Sequence, residues 1–105
     1  MRAGDLRHRV TIQQPVETQN AYGEPVVAWQ DVATVWAAVE PLRGREFFDA
    51  QQVQARVDHR IRIRYRADVT PKMRVLLGSR AFNIQAVIEP ESRRRELHLM
   101  CKEAI

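Results

Sequence analysis

The chain has 105 residues, of which 45% are hydrophobic and 29% charged, and these values exclude wholesale disorder. Its 17 Lys+Arg against 13 Asp+Glu give a formal net charge of +4, and the length predicts one domain, residues 1–105, with a single modest core. One cysteine, Cys101, excludes an intrachain disulfide. We find no apolar run of signal-sequence or membrane-spanning length, which predicts a protein made and used in a cytoplasm.

The N-terminal segment predicts a strand followed by a loop. Residues 7–14, R-H-R-V-T-I-Q-Q, alternate apolar and polar side chains with the period of a half-buried strand. Pro15 closes this run, and the residues after it are rich in turn formers and polar groups. We therefore predict a long exposed loop over residues 15–25.

Residues 26–42 are ambiguous between helix and strand. Several of their apolar residues follow helical spacing, while the valine content and the closing proline favour a strand. We predict a strand, in which Val35, Ala37 and Val39 face one way and Trp36 and Ala38 the other.

The next segment predicts the only helix. Residues 44–57 contain helix formers, acidic residues for the first turn at Glu46 and Asp49, and apolar residues at helical spacing, which are Ala50, Val53 and Val57. Phe47 and Phe48 are adjacent, so they cannot both point at one core patch. At least one of these two rings is expected to be exposed for a partner.

Residues 59–66, H-R-I-R-I-R-Y-R, alternate four apolar or aromatic side chains with four arginines. On a strand this pattern places the arginines on one face as a ladder, with Tyr65 on the opposite, apolar face. Side-by-side like charges repel unless they are screened. The ladder is therefore a solvated edge strand, a phosphate-contacting surface, or a surface paired with acidic residues of another subunit.

The rest of the chain predicts three more strands. Gly78-Ser79 between two apolar runs indicates a hairpin, and in the second run Phe82, Ile84, Ala86 and Ile88 share a face opposed to Asn83, Gln85 and Val87. Residues 90–94 predict a turn, and the last strand alternates Leu97, Leu99 and Cys101 with His98, Met100 and Lys102. In all, the chain predicts a mainly β fold, a small antiparallel β-barrel of about six strands with one short helix and long loops.

Histidine and cysteine are the candidates for a metal or catalytic site. His8 and His59 are in phase with apolar residues of their strands, so we expect them to lie near each other at the barrel's edge. His98 is out of phase with Cys101, which predicts that these side chains point to opposite faces. No paired-ligand spacing occurs, so we expect no metal and no cofactor, although a metal-dependent enzyme using His8 and His59 stays open.

No motif predicts an enzyme. Ser79 and Ser92 lie in predicted turns without a nearby histidine, and four glycines form no phosphate-binding loop. A nucleic-acid module would add stacking aromatic rings beside the arginines, whereas Tyr65 faces away from them.

In their succession these segments resemble the phage head-tail joining proteins, also called head closure or head completion proteins. The matching segments run in order through nearly the whole chain: L-R-H-R-V-T-I-Q-Q, Y-G-E-P-V-V-A-W-Q, V-W-A-A-V-E-P-L-R-G-R-E, H-R-I-R-I-R-Y-R, R-V-L-L-G-S-R-A-F-N-I-Q-A-V and L-H-L-M-C-K-E-A. Each segment alone is β-strand of low specificity, so the resemblance rests on their order.

The resemblance implies a small β-barrel, without enzymatic activity, that assembles as a ring with itself at the head-tail interface of a tailed-phage or prophage virion. Such a ring sits below the portal and its adaptor, retains the packaged DNA and offers a docking surface to a tail terminator or tail completion protein. Assembly in the bacterial host cytoplasm, without membrane contact, is implied as well. The alternative is a small basic barrel of the OB type that binds single-stranded nucleic acid.

The resemblance also gives the exposed groups a use. Aromatic residues and arginine are enriched at interfaces, so we expect a subunit or partner interface that includes Trp29, Trp36, Phe47, Phe48, Arg60, Arg62, Arg64 and Arg66. The long loops imply a lumen or docking role for Tyr22, Gly23, Glu24, Arg43 and Arg45. For the ladder we favour acidic groups of a neighbouring subunit over packaged DNA, because a strongly phosphate-binding wall would hinder DNA passage.

Overall fold

The computed structural model describes residues 6–53, 57–90 and 94–104, and for residues 50–53 the backbone alone. These residues form β1 (His8–Gln19), β2 (Pro25–Pro41), α1 (Gly44–Val53), β3 (His59–Arg64), β4 (Arg74–Leu77), β5 (Arg80–Ile88) and β6 (Glu96–Ala104). All neighbouring strands pair antiparallel in the order β1-β2-β3-β6-β5-β4, and β4 pairs with β1, so the sheet closes into a barrel. The predicted mainly β barrel with one short helix is confirmed.

The barrel interior holds the apolar residues of the alternating strands. Fully buried side chains come from all six strands or their ends, the largest being Phe82, Ile12, Ile61, Ile63, Leu99, Val10, Val57, Val75 and Cys101. Burying each large aliphatic or aromatic side chain contributes about 1.5–3 kcal/mol, so this cluster is the main source of stability. The strand prediction for residues 26–42 is confirmed, with Ala37 inside and Trp36 outside.

A β-bulge in β5 overturns part of the predicted alternation. Phe82 and Ile84 face the interior as predicted, but the register with β6 shifts between Ile84 and Ala86. Val87 therefore pairs with Leu99 and packs against the core, while Ile88 is 47% exposed. One extra residue in a strand moves every later side chain to the opposite face, so the prediction that Ala86 and Ile88 share the face of Phe82 and Ile84 is wrong.

The predicted loop over residues 15–25 is mostly strand. β1 continues to Gln19, β2 begins at Pro25, and the turn between them contains residues 20–24. The side-chain oxygen of Asn20 accepts hydrogen bonds from the backbone N–H groups of Tyr22 and Glu24, and Gly23 supplies a positive φ of 78°. Cross-strand pairing therefore continues where polar composition predicted a loop.

Residues 14–30 form a two-stranded ribbon that projects from the barrel, and we call it the arm. β1 pairs with β4 only as far as Gln13, and β2 pairs with β3 only from Ala37 onward. Beyond Gln13 the two strands pair with each other alone, from Gln14 opposite Gln30 to Gln19 opposite Pro25. At about 3.3 Å per residue the arm is roughly 20 Å long, in keeping with overall dimensions of 47 × 28 × 26 Å.

The end of the helix differs from prediction. α1 ends at Val53, Val57 lies outside the helix in the core, and residues 54–56 and the side chains of Ala50 and Val53 lie outside the described part. Of the two acidic residues predicted for the first turn, Glu46 lies there and Asp49 in the second.

The Gly78-Ser79 hairpin is confirmed, with a φ of 60° at Gly78. For the predicted turn at residues 90–94, residues 91–93 lie outside the described part.

Candidate functional site

The arginine ladder lies on the outer face of β3. Ile61 and Ile63 are fully buried, so the alternation of the strand turns Arg60, Arg62 and Arg64 outward. β3 ends at Arg64, which is two residues earlier than the ladder was predicted to reach. Tyr65 packs against the core, as predicted.

The first two arginines have an acidic partner within their own chain. Glu40 on β2 lies opposite Arg60 in the strand register, and its Oε1 accepts hydrogen bonds from Nε of Arg60 at 3.2 Å and of Arg62 at 2.9 Å. Arg60 also lies 3.7 Å from Glu46, which ties α1 to the barrel. These partly buried ion pairs stabilise the β2–β3 pairing, and the sequence did not reveal them because Glu40 is 20 residues away.

The other two ladder residues behave differently from the first pair. Arg66 lies beyond the strand and binds the carboxylate of Asp68, two residues on, through both Nε and Nη2. Arg64 is exposed, and the described residues offer it no ion pair. Arg64 is therefore the ladder residue whose charge is available to a partner.

An exposed tryptophan lies beside Arg64. Trp36 is on β2, directly before the residue that pairs with Ile63, and half of its surface is exposed. Arg9 pairs with Trp36 across β1 and β2, and its guanidinium lies 5.3 Å from the ring centroid. We call Arg9, Trp36 and Arg64 the Trp36 patch. Sequence reasoning compared the arginines only with Tyr65 of their own strand, and so missed this aromatic neighbour from the next one.

A cleft of about 300 Å³ opens beside the patch, lined by Val35, Trp36, Arg64, Tyr65 and Arg66. It combines aromatic surface with guanidinium groups, which is the composition typical of protein interfaces.

His98 lies beside the ladder on β6, directly opposite Arg62. Partial burial lowers the pKa of His98, Glu96 opposes this effect, and the positive charges of Arg60 and Arg62 add to the lowering. Its Nε2 lies 3.6 Å from Oε2 of Glu96, a buried oxygen without a hydrogen-bond partner in the described part of the chain. A neutral His98 adds no further positive charge to the arginine face.

One cation–π contact and two hydrogen bonds hold the base of the arm. Trp29 stacks under the guanidinium of Arg74 at 4.2 Å, and Nε of Arg74 donates to Oε1 of Gln13. Nε2 of Gln13 in turn donates to Asp31 across the β1–β2 pair. Trp29 is therefore partly covered by its own barrel and contributes less free surface than Trp36.

The outer part of the arm exposes apolar as well as polar side chains to solvent. Tyr22 at its tip is 88% exposed, and Val26 and Val27 also face solvent. Glu17 and Glu24 lie on this part of the arm without an ion pair to any described residue. From residue 10 to residue 42 the chain contains four acidic residues and no lysine or arginine.

The segment that carries α1 is the second exposed extension. Phe47 and Phe48 stand edge to face at 6.2 Å and are 36% and 69% exposed, so both rings reach solvent. Arg43 and Arg45 at the start of this segment are exposed as well.

The predicted proximity of His8 and His59 is wrong. His8 is exposed opposite Ala37, whereas His59 pairs with Pro41, four residues and about 13 Å along the same strand. His59 instead contacts Asp58 at 2.7 Å and lies edge-on to Phe82.

Metal-ligand geometry is not found in the described part of the chain, where no three His, Cys, Asp or Glu side chains group to hold an ion. Cys101 is fully buried, on the face opposite His98 as predicted, and burial raises the pKa of its thiol. Among the described helices, none has the length and apolarity needed to cross a membrane.

Comparison with known sequences gives one family and one named relative. The sequence profile of phage head completion proteins matches residues 1–104. Head completion protein gp16 of Bacillus phage SPP1 is 34% identical over 67 residues, which cover 64% of this chain and 62% of gp16. The alignment therefore spans less than two thirds of the length of gp16.

Comparison with solved structures supports the same fold. The solution structure of protein SF1141 from Shigella flexneri 2a superimposes with a TM-score of 0.75 and 31% identity, covering 99% of this chain and 97% of SF1141. A chain of the virion of a native gene transfer agent particle gives a TM-score of 0.64 at 23% identity, covering 95% and 96% of the two chains. At that identity the likeness is one of fold.

Proposed function

Because the chain belongs to the phage head completion protein family, a family of structural virion proteins and not of enzymes, we propose that its copies assemble as a ring below the portal and its adaptor. There the ring retains the packaged DNA and presents a docking surface to a tail terminator or tail completion protein. We place its assembly in the host cytoplasm and its final location at the head-tail interface.

The observation that supports this role is that the family profile spans residues 1–104, and so includes the barrel and both of its exposed extensions. The arm and the α1 segment carry exposed aromatic and charged side chains that the core of the chain does not cover. A protein that works through contacts with other proteins needs such surfaces, whereas a catalyst needs a pocket with convergent reactive groups.

The subunit or partner interface, in this proposal, uses Trp36, Arg64, Phe47 and Phe48, with Trp29 at its margin. Arg60 and Arg62 serve mainly to fix the barrel wall through Glu40, and Arg66 is bound to Asp68. Lumen or docking contacts come from the arm tip, Tyr22 to Glu24, and from Arg43 and Arg45 at the start of the α1 segment. Nonspecific proximity to packaged DNA follows from a position around the channel.

Deleting the gene from the encoding phage or prophage and imaging the particles tests this role. The proposal expects DNA-filled heads that leak, beside separate finished tails. Supplying the wild-type gene in trans should restore joined, infectious particles. Normal joined particles from the deletion strain would refute the proposed role.

A second candidate, binding of single-stranded nucleic acid, is favoured by one observation: Trp36 offers an aromatic ring beside Arg9 and Arg64, as a stacked base would require. Titration of a labelled oligonucleotide at several salt concentrations separates the two candidates. The head completion role expects weak, sequence-blind binding, whereas the second candidate requires tight binding with a steep salt slope.

A further inference from the structure

The arm is acidic in a basic protein. Its charged side chains are Glu17 and Glu24, Asp31 follows at its base, and all 17 Lys+Arg lie outside residues 10–42. Phosphate groups repel such a surface, so DNA is a poor partner for the arm. A basic protein surface is a good one.

The arm has little cover along its length, where Lys72 lines a cleft together with Glu17, Val26 and Val27. Outside its base, no other strand of the described residues pairs with either edge of the ribbon, and Val26 and Val27 stand exposed near the tip. A two-stranded ribbon without a hydrophobic partner is of marginal stability in water. Docking on another surface would bury this apolar area and hold the arm in place.

The Trp36 patch has the complementary chemistry. Arg9 and Arg64 have no acidic partner in the described parts of the chain, and the ring of Trp36 is half exposed above a cleft of about 300 Å³. Arginine and tryptophan are the residues most often found at the energetic centre of protein interfaces.

A copy cannot fill its own patch. Trp36 lies on β2, in the barrel wall, and the same strand continues from there into the arm, with a shift of register opposite Ile12 and Gln13 on the way. The tip residue Tyr22 is 14 positions before Trp36, and the paired ribbon points away from the patch. The arm that covers the patch must therefore come from another copy.

We propose that the acidic arm of each copy docks on the Trp36 patch of the next copy. The contact joins two different surfaces, so it is heterologous, and repeated from copy to copy it closes into a ring. This inference rests on the proposed ring and adds which surfaces join. It also separates the roles of the two extensions, since the α1 segment is then the one left for the lumen or the tail.

Charge reversal in the deletion strain tests the contact. One plasmid supplies an arm variant, Glu17→Lys with Glu24→Lys, and another supplies a patch variant, Arg9→Glu with Arg64→Glu. Each alone places like charges at every contact and should lower the yield of infectious particles at least about tenfold. All four side chains are exposed, so the thermal midpoint of each purified variant should match the wild type.

The decisive experiment supplies both variants together. In a ring with an even number of copies the two variants can alternate, so that each lysine-bearing arm meets a glutamate-bearing patch and each wild-type arm meets a wild-type patch. Yield should return to within about threefold of wild type, since every contact again joins opposite charges. A single chain with all four substitutions is the matched control and should be rescued in the same way.

Two results would overturn the inference while leaving the proposed function intact. One is normal yield from either variant alone, and the other is no rescue by the single chain with all four substitutions, which restores opposite charges at every contact of a ring of any size. If the deletion itself leaves particles normal, the proposed function fails, and the inference that rests on it fails too.

Discussion

Nε of Arg62 on β3 donates a hydrogen bond to Oε1 of Glu40 on β2, at 2.9 Å. The same oxygen accepts a second hydrogen bond from Arg60 at 3.2 Å, so one carboxylate bridges two neighbouring arginines of the ladder and offsets one of their two positive charges. Like charges side by side on a strand destabilise a sheet, and Glu40 reduces that repulsion without a partner subunit. The half-buried position of the group makes the contact stronger than an ordinary surface ion pair.

Replacing Glu40 should therefore destabilise the barrel. We expect Glu40→Gln to lower the free energy of unfolding by about 1–2 kcal/mol, because two partly buried guanidinium groups lose their charged acceptor. Urea unfolding followed by circular dichroism measures the change. The control is Glu17→Gln on the arm, which should leave the midpoint unchanged, and an equal midpoint for both variants would contradict the role of Glu40.

Arg62 and Arg64 should separate stability from assembly. Arg62→Ala removes a bond to Glu40 and should lower the free energy of unfolding by about 1 kcal/mol. Arg64→Ala removes a charge with no described partner and should stay within about 0.5 kcal/mol of wild type. Particle yield should fall for Arg64→Ala although its fold is intact. Urea unfolding and particle yield are measured for both variants. A loss of stability in Arg64→Ala together with a normal particle yield would contradict the prediction.

The bulge in β5 makes Val87 and Ile88 a matched pair. Val87 packs against the core, so Val87→Ala should cost about 1–1.5 kcal/mol of stability through lost apolar burial. Ile88 is 47% exposed, so Ile88→Ala should change stability by less than about 0.5 kcal/mol, although it removes more side-chain atoms. Unfolding by guanidinium chloride ranks the two. The reverse ranking would mean that simple alternation persists through this strand.

Asp58 should make the protein sensitive to acid. Partial burial alone raises the pKa of Asp58, but hydrogen bonds from His59 and from the Glu103 backbone N–H, together with Lys102, outweigh it, so the pKa lies below its usual 3.8. The ionised form is thus favoured in the folded state. Its contribution to stability is fully present above pH 3.8 and is lost as the pH falls through the lowered folded value.

The measurement is urea unfolding of the wild type and of Asp58→Asn at pH 7 and near pH 3. The variant should be less stable at pH 7 and should lose less stability than wild type on acidification, since it has no carboxylate to protonate. Asp49→Asn, at an exposed position on α1, is the control and should keep wild-type stability at pH 7. Parallel losses in wild type and Asp58→Asn would exclude this linkage.

The sequence by itself determined the barrel part of each strand and most of the side chains that fill the interior. Alternation with period two follows from local backbone geometry, so Ile61, Ile63 and Tyr65 could be placed inside and His98 opposite Cys101 without knowledge of any neighbour. It also determined the tight hairpin at Gly78, because a positive φ in a two-residue turn is a local requirement. These features depend on a few consecutive residues only.

Only the tertiary structure decided which side chains meet. Glu40 lies next to the arginines on the neighbouring strand, Trp36 lies beside Arg64, and His8 lies far from His59. The strand register sets all three relationships, because it joins residues tens of positions apart. The arm is strand because Gln14 to Gln19 pair with β2, although their polar composition predicted a loop. Partner choice and register depend on closure of the whole barrel, and no local pattern contains that information.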